Sequence, residues 1–242
     1  MKNFIKKFFK ILQTPFILPD YFKFNKLTKN KRFDNDILDV YPCLKDKTIK
    51  TGFDRHYVYH TAWAARKVKE INPEFHIDIS SSLYFSGIVS AFVPVKFYDY
   101  RPAEIALNNL ESLQADLMNL PFENGSIQSL SCMHVIEHIG LGRYGDNLDY
   151  EGDLRAIEEL KRVLAVGGNL LFVVPIGGKA KIQFNAHRIY TYEQIKEYFS
   201  DFELKEFSLI PEKTGEMLFN QEAIEQAKKE NYACGCFWFI KM

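Results

Sequence analysis

From Asp54 to the end of the chain, apolar runs of strand length alternate with amphipathic runs of helix length, and few folds accept that rhythm. Residues 55–71 repeat apolar positions at helical spacing, with Asp54 as N-cap and Asn72-Pro73 as the stop. Strands are expected at 75–79, 94–98, 113–115, 127–133, 169–174, 203–210 and 234–240. Helices are expected between them at 83–91, 105–110, 153–164, 192–199 and 221–229. The helix over 153–164 is the clearest, because Leu154, Ile157, Leu160, Val163 and Leu164 share one face, with Gly167 and Gly168 as its C-terminal cap. The pattern predicts an α/β fold: a Rossmann-like, mostly parallel, seven-stranded sheet with helices on both faces. The last two strands allow a hairpin, which would put one antiparallel strand near the edge.

Residues 1–50 break the rhythm and read as an N-terminal helical extension, leaving one domain over 51–242. In MKNFIKKFFKILQTPF, Phe4, Ile5, Phe8, Phe9, Ile11 and Leu12 recur at helical spacing opposite Lys2, Lys6, Lys7 and Lys10. The run is too short and interrupted for a signal peptide. A helix over 1–14 would dock on protein or lie peripherally on an anionic inner membrane surface. No apolar run approaches the roughly 20 residues of a membrane span. The four cysteines (Cys43, Cys132, Cys234 and Cys236) do not have zinc-ribbon spacing and read as reduced thiols of a cytoplasmic protein. Lys+Arg and Asp+Glu both number 31, so no global basic field collects nucleic acid.

The densest chemistry lies in IQSLSCMHVIEHIGLGRYGD, residues 127–146. A strand runs into His134, Glu137 and His138, then into a loop with Arg143, Tyr144, Gly145 and Asp146. Ligands of open α/β sheets bind beyond the carboxyl ends of the strands, so this is a site by position. Asp99 and Asp116 end two earlier strands, where a carboxylate can accept ribose hydroxyls. No G-x-G-x-x-G precedes a helix, which speaks against NAD. The competing reading of both aspartates is a cap or turn.

The order of elements, with RHYVYHTAWAARKV, HIDISSS, FYDYRP, QADLMNLPF, HVIEHIGLGRYGD and LKRVLAVGGNLLFVVP, resembles class I S-adenosylmethionine-dependent methyltransferases over residues 54–240. Within them the chain is most similar to a bacterial subgroup associated with surface polysaccharide (capsule) synthesis. The resemblance implies S-adenosylmethionine as cofactor. Asp78, Ser80 and Ser81 would stand beside its methionine portion, Asp99 at the ribose, Asp116 and the Leu117 backbone at the adenine, and His134 facing the cofactor. The family's first loop is rich in glycine, whereas residues 78–82 contain none. The implied activity is O-methylation of a sugar or a phosphate-containing, nucleotide-linked precursor. The alternative is a non-catalytic scaffold in a glycan synthesis complex.

A hydroxyl acceptor must lose a proton, and histidine suits that role, which makes His138, His134 and Glu137 the candidate catalytic set. The competing reading is that Glu137 and His138 cap and brace the loop. His134 with His138, or His56 with His60, also have i, i+4 spacing for a metal; HVIEH lacks the H-E-x-x-H order, and no metal is assigned. Arg143, Tyr144, Asp146, His187 and Arg188 are the expected substrate side, with arginines suited to phosphate.

Overall fold

The computed structural model describes residues 12–27, 32–213 and 215–242. Contacts divide the chain into two units, residues 1–53 and 54–242. The expected basic helix falls largely on residues 1–11, outside the described residues. The first unit holds the helix α1 (Leu18–Lys26), opened by Pro19, with no buried residue. Among the described residues no helix is long and apolar enough to cross a membrane.

In the second unit, β1 (His76–Ile79), β2 (Val95–Asp99), β3 (Leu110–Gln114), β4 (Ile127–Met133) and β5 (Leu164–Ile176) form a parallel core in the order β3-β2-β1-β4-β5. The order reverses on either side of β1, which pairs with both β2 and β4. The sheet has eight strands rather than seven. A two-residue strand, β9 (Leu218–Phe219), lies beyond β8 (Phe202–Ile210) at the edge. The antiparallel β10 (Ala233–Lys241) lies between β5 and β8, not at the edge, because nearly all its residues are buried and need neighbours on both sides. A separate hairpin, β6 (Lys181–Gln183) with β7 (His187–Ile189), is too short to leave a clear sequence pattern.

Helices cover both faces. On one side α2 (Arg55–Ile71) and α3 (Leu83–Val89) contribute Trp63, Ala64, Val68, Phe85 and Val89. On the other, α4 (Gly152–Val163), α5 (Tyr192–Tyr198) and α6 (Asn220–Ala227) contribute Ala156, Ile157, Leu160, Ile195 and Ala223. The pleat of β5 shows the division: Leu170, Phe172 and Val174 enter the second core, Leu171 and Val173 the first. Asp54 caps α2 by accepting from the Tyr57 N–H, and Asn72 closes it with φ 48°.

Two expected elements differ. Residues 105–110 form no helix: Leu107 bridges Leu110 in a turn, and β3 starts there to pair with Val95. The helix over 153–164 does not end on glycine. The chain passes directly from Val163 into β5, and Gly167 and Gly168 occupy a bulge where the pairing with β4 jumps from Leu164 to Asn169. A Cβ on Gly168 would lie 2.9 Å from the Ile127 carbonyl oxygen, so close strand approach, not helix capping, requires glycine there.

Candidate functional site

A cleft of about 290 Å³ opens beyond the carboxyl ends of β1 to β4, at the reversal of strand order. That volume lies near the lower end for small-molecule sites, and the position is the one α/β sheets use for ligands. One wall carries Ser80, Asp99, Tyr100, Arg101, Asp116, Leu117 and Met118. The other carries His134, Val135, His138, Ile139, Tyr144, Asp146 and Asn147.

The two carboxylates on the first wall are held by their own backbone. Asp99 Oδ1 accepts the Arg101 N–H at 2.7 Å, and Asp116 Oδ1 accepts the Met118 N–H at 2.9 Å. These are turns, as the competing reading holds, but both residues also line the cleft. Oδ2 of each has no hydrogen bond among the described residues. Ser80 turns the chain with φ 54° and packs its hydroxyl on the Tyr98 carbonyl at 3.2 Å. A left-handed turn is therefore present where glycine is the usual means.

Asp78 and Ser81 do not line the cleft. Asp78 is fully buried, accepting Ser131 Oγ at 2.5 Å and Ser86 Oγ at 2.6 Å. Burial raises its carboxyl to about 6 against the serine hydrogen bonds. His76 joins this network through Ser129 at 2.8 Å and Ser131 at 2.9 Å, and burial holds its imidazole down at about 3. Ser81 Oγ accepts the Met133 N–H at 3.0 Å. Both expected cofactor contacts thus brace the strand ends from beneath.

His134 follows β4 with φ 57°. Its Nδ1 is 2.8 Å from Glu137 Oε1 and its Nε2 3.4 Å from Cys234 Sγ. Burial disfavours its charge, but Cys234 and Glu137 outweigh that and raise it to about 10. With both nitrogens engaged and the side chain buried, His134 is a poor proton acceptor for a substrate. Glu137, 1% exposed, orients it. His138 differs. Its Nδ1 is 2.6 Å from the Ala186 carbonyl, so that nitrogen donates and Nε2 holds the lone pair. Burial, only partly offset by Glu137, lowers its pKa and keeps it neutral.

Of the expected substrate residues, Tyr144 and Asp146 line the cleft. Asp146 also staples the loop, accepting from Gly140 N at 2.7 Å and Tyr144 N at 3.2 Å. Arg143 stands outside the lining, donating to the Ala186 carbonyl at 3.0 Å with its guanidinium 5.2 Å from the Tyr144 ring. Arg188 is not a rim cation: it is buried, 3.4 Å from Asp153 and donating to the Ile139 and Tyr150 carbonyls. His187 packs on Tyr232 and His138 behind the cleft. Tyr100 and Arg101 are lining residues not singled out from sequence, although they directly follow Asp99. Arg101 reaches the Tyr144 ring at 5.1 Å. The contact of His134 with Cys234 spans 100 residues, and no local signal announces it.

Comparison with known proteins bears on the whole domain. A family model described as "Caenorhabditis protein of unknown function, DUF268" matches residues 119–235. No curated protein matches the chain. Among solved structures, the chain resembles a putative methyltransferase of Haloferax volcanii in complex with the Trm112 activator, at 16% identity and TM-score 0.51, covering 77% of this chain and 90% of that one. It resembles a putative methyltransferase from Bacillus halodurans at 14% and 0.51, covering 73% and 98%. A putative sarcosine dimethylglycine methyltransferase from Galdieria sulphuraria matches at 12% and 0.53, covering 76% and 86%. The fold is that of the class I methyltransferases. At these identities the likeness is one of fold, and the chemistry must be argued from the cleft of this methyltransferase-like domain.

Proposed function

We propose that this chain is an S-adenosylmethionine-dependent methyltransferase acting on a hydroxyl of a sugar or phosphate-containing precursor of a surface polysaccharide. The observation that carries the reading is the pair Asp99 and Asp116 at successive strand ends, each with one oxygen fixed and one unbonded in the cleft wall. That donor set fits the cofactor: Asp99 would accept the ribose hydroxyls, Asp116 the adenine amino group, Leu117 and Met118 would flank the adenine, and Ser80 would turn the loop beside the methionine portion. When bound, S-adenosylmethionine supplies an electrophilic methyl group on a sulfonium. The chain's own part is to place the acceptor in line, exclude water and take a proton. His138 lines the cleft with Nε2 3.8 Å from Glu137 Oε1, and that nitrogen would accept the hydroxyl proton. Arg101 and Arg143 about Tyr144 support an anionic acceptor. The glycan identity of that acceptor, a cytoplasmic location and membrane contact through residues 1–14 rest on the sequence alone.

Calorimetry with S-adenosylmethionine is the first test. Wild type binds; Asp99→Ala loses about 10- to 100-fold, the worth of a hydrogen bond to a charged group, roughly 1.5–3 kcal/mol. A wild type that does not bind removes the proposal. His138→Ala should leave binding intact and lower kcat by roughly 10²–10⁴ on labelled transfer to sugar phosphates. The glycine-free loop, with Ser80 held left-handed, favours a second reading as a scaffold. Cofactor binding with no transfer to any sugar phosphate, together with co-purification of a glycosyltransferase, would favour it.

A further inference from the structure

Behind the second wall, three distant segments bring together donors that the proton chemistry above does not use. His56 comes from α2, His134 from the bend after β4 and Cys234 from β10. One donor atom of each lies within 4.8 Å of the others, and all three residues are buried. The 3.4 Å between Cys234 Sγ and His134 Nε2 matches a sulfur–nitrogen edge of a tetrahedral zinc site, about 3.5 Å from bonds of roughly 2.3 and 2.0 Å. The other nitrogen of His134 is 2.8 Å from Glu137. A ligating histidine almost always gives its second N–H to a carboxylate or carbonyl, which fixes the ring and leaves the remaining lone pair for the metal.

Two more donors border these three. Cys236 Sγ is 4.0 Å from Cys234 Sγ. His60 donates from Nδ1 to the His56 carbonyl at 2.7 Å, so its Nε2 holds a lone pair, and that atom is buried without a partner among the described residues. Glu137 Oε2 is likewise buried and unpartnered. Unpaired polar atoms are rare in a core and need a physical reason.

A hydrogen-bonded Cys–His–Glu nucleophile is the competing account of the same contacts. It fails on access, because Cys234 is fully buried and no substrate carbon can reach its sulfur. A dication needs no such access and takes up the three converging donors. On binding it displaces to solvent both the Cys234 thiol proton and the Nε2 proton that His134, raised to about 10, carries. Its two positive charges balance the Cys234 thiolate and the buried Glu137 carboxylate. Thiolate with imidazole donors selects zinc over magnesium or calcium. The 9% residual exposure of His56 and His134 provides entry.

We propose that His56, His134 and Cys234 bind one zinc ion, with Glu137 positioning His134 from behind. The site does not depend on the methyl-transfer reading. The full chain, stripped with chelator and dialysed against Zn(II), should retain one equivalent by mass spectrometric metal analysis. Co(II) should give a thiolate-to-metal charge-transfer absorption. Cys234→Ser should abolish that absorption and weaken zinc binding at least tenfold. If that variant does not fold, His56→Gln, at the edge of the cluster, should show the same tenfold loss. Asp99→Ala should keep zinc at wild-type affinity, so failure of cofactor binding and failure of the metal site are separable. A wild type that holds no more zinc than Cys234→Ser or His56→Gln, or a cobalt adduct without the thiolate absorption, overturns the proposal.

Discussion

The two walls of the cleft are built by different means. On the first, Asp99 and Asp116 are fixed by backbone N–H groups two residues along the chain, and one oxygen of each stays unbonded. Behind the second, His134 and Arg188 are held by residues 35 to 100 positions away or by other buried side chains, and nearly every donor is engaged. Groups held by their own turn are available to a ligand and contribute little to stability. Groups held by each other in the core contribute much, because removing one leaves its partner buried and unpaired. Asp78 shows that this is a matter of surroundings, not residue type. It lies one residue before the end of β1, whereas Asp99 ends β2, and both its oxygens are taken by serines.

The largest test of this contrast is Arg188→Met. Volume is kept, but Asp153 loses its buried partner, and the Ile139 and Tyr150 carbonyls lose their donor. Urea unfolding should show a loss of about 3–5 kcal/mol. A loss below about 1 kcal/mol would mean the second wall is held in some other way.

The network beneath the first wall should respond to acid. Burial holds His76 at about 3 in the folded chain against an ordinary 6.5. The unfolded chain therefore takes up a proton that the folded chain refuses, so stability is complete above pH 6.5 and falls as pH drops from 6.5 toward 3. His76→Phe loses hydrogen bonds at pH 7 but escapes this acid penalty. Its deficit relative to wild type should shrink by about 2 kcal/mol between pH 7 and pH 5. An unchanged deficit would show that His76 already titrates normally in the fold.

The smallest effect belongs to the half-buried turn at Ser80. Ser80→Gly removes a left-handed non-glycine residue and a 3.2 Å hydroxyl contact. The strain relieved, about 1 kcal/mol, exceeds the weak hydrogen bond lost, so Tm should rise slightly. A drop of several degrees would make the serine hydroxyl a structural anchor of the loop.

Periodicity determined what local physics controls. The amphipathic repeats placed α2 and α4, the apolar runs placed β4, β5 and β10, and strand-end position picked out Asp99, Asp116 and His138. Local pattern failed where long-range pairing overrode it. Gly167 and Gly168 read as a helix cap, but β4 draws the chain into a strand immediately after Val163, and the glycines serve the bulge instead. Only the tertiary structure decided which polar residues face the cleft and which face one another. Asp78, Ser81 and Arg188 look like ligand contacts in sequence, yet they serve as braces because strands and loops close over them. The meeting of His56, His134 and Cys234 was equally beyond reach, since β10 enters the sheet beside β5 only once the whole chain has folded. Side-chain spacing along an element follows from helix and strand geometry, whereas proximity between elements depends on how the sheet is ordered.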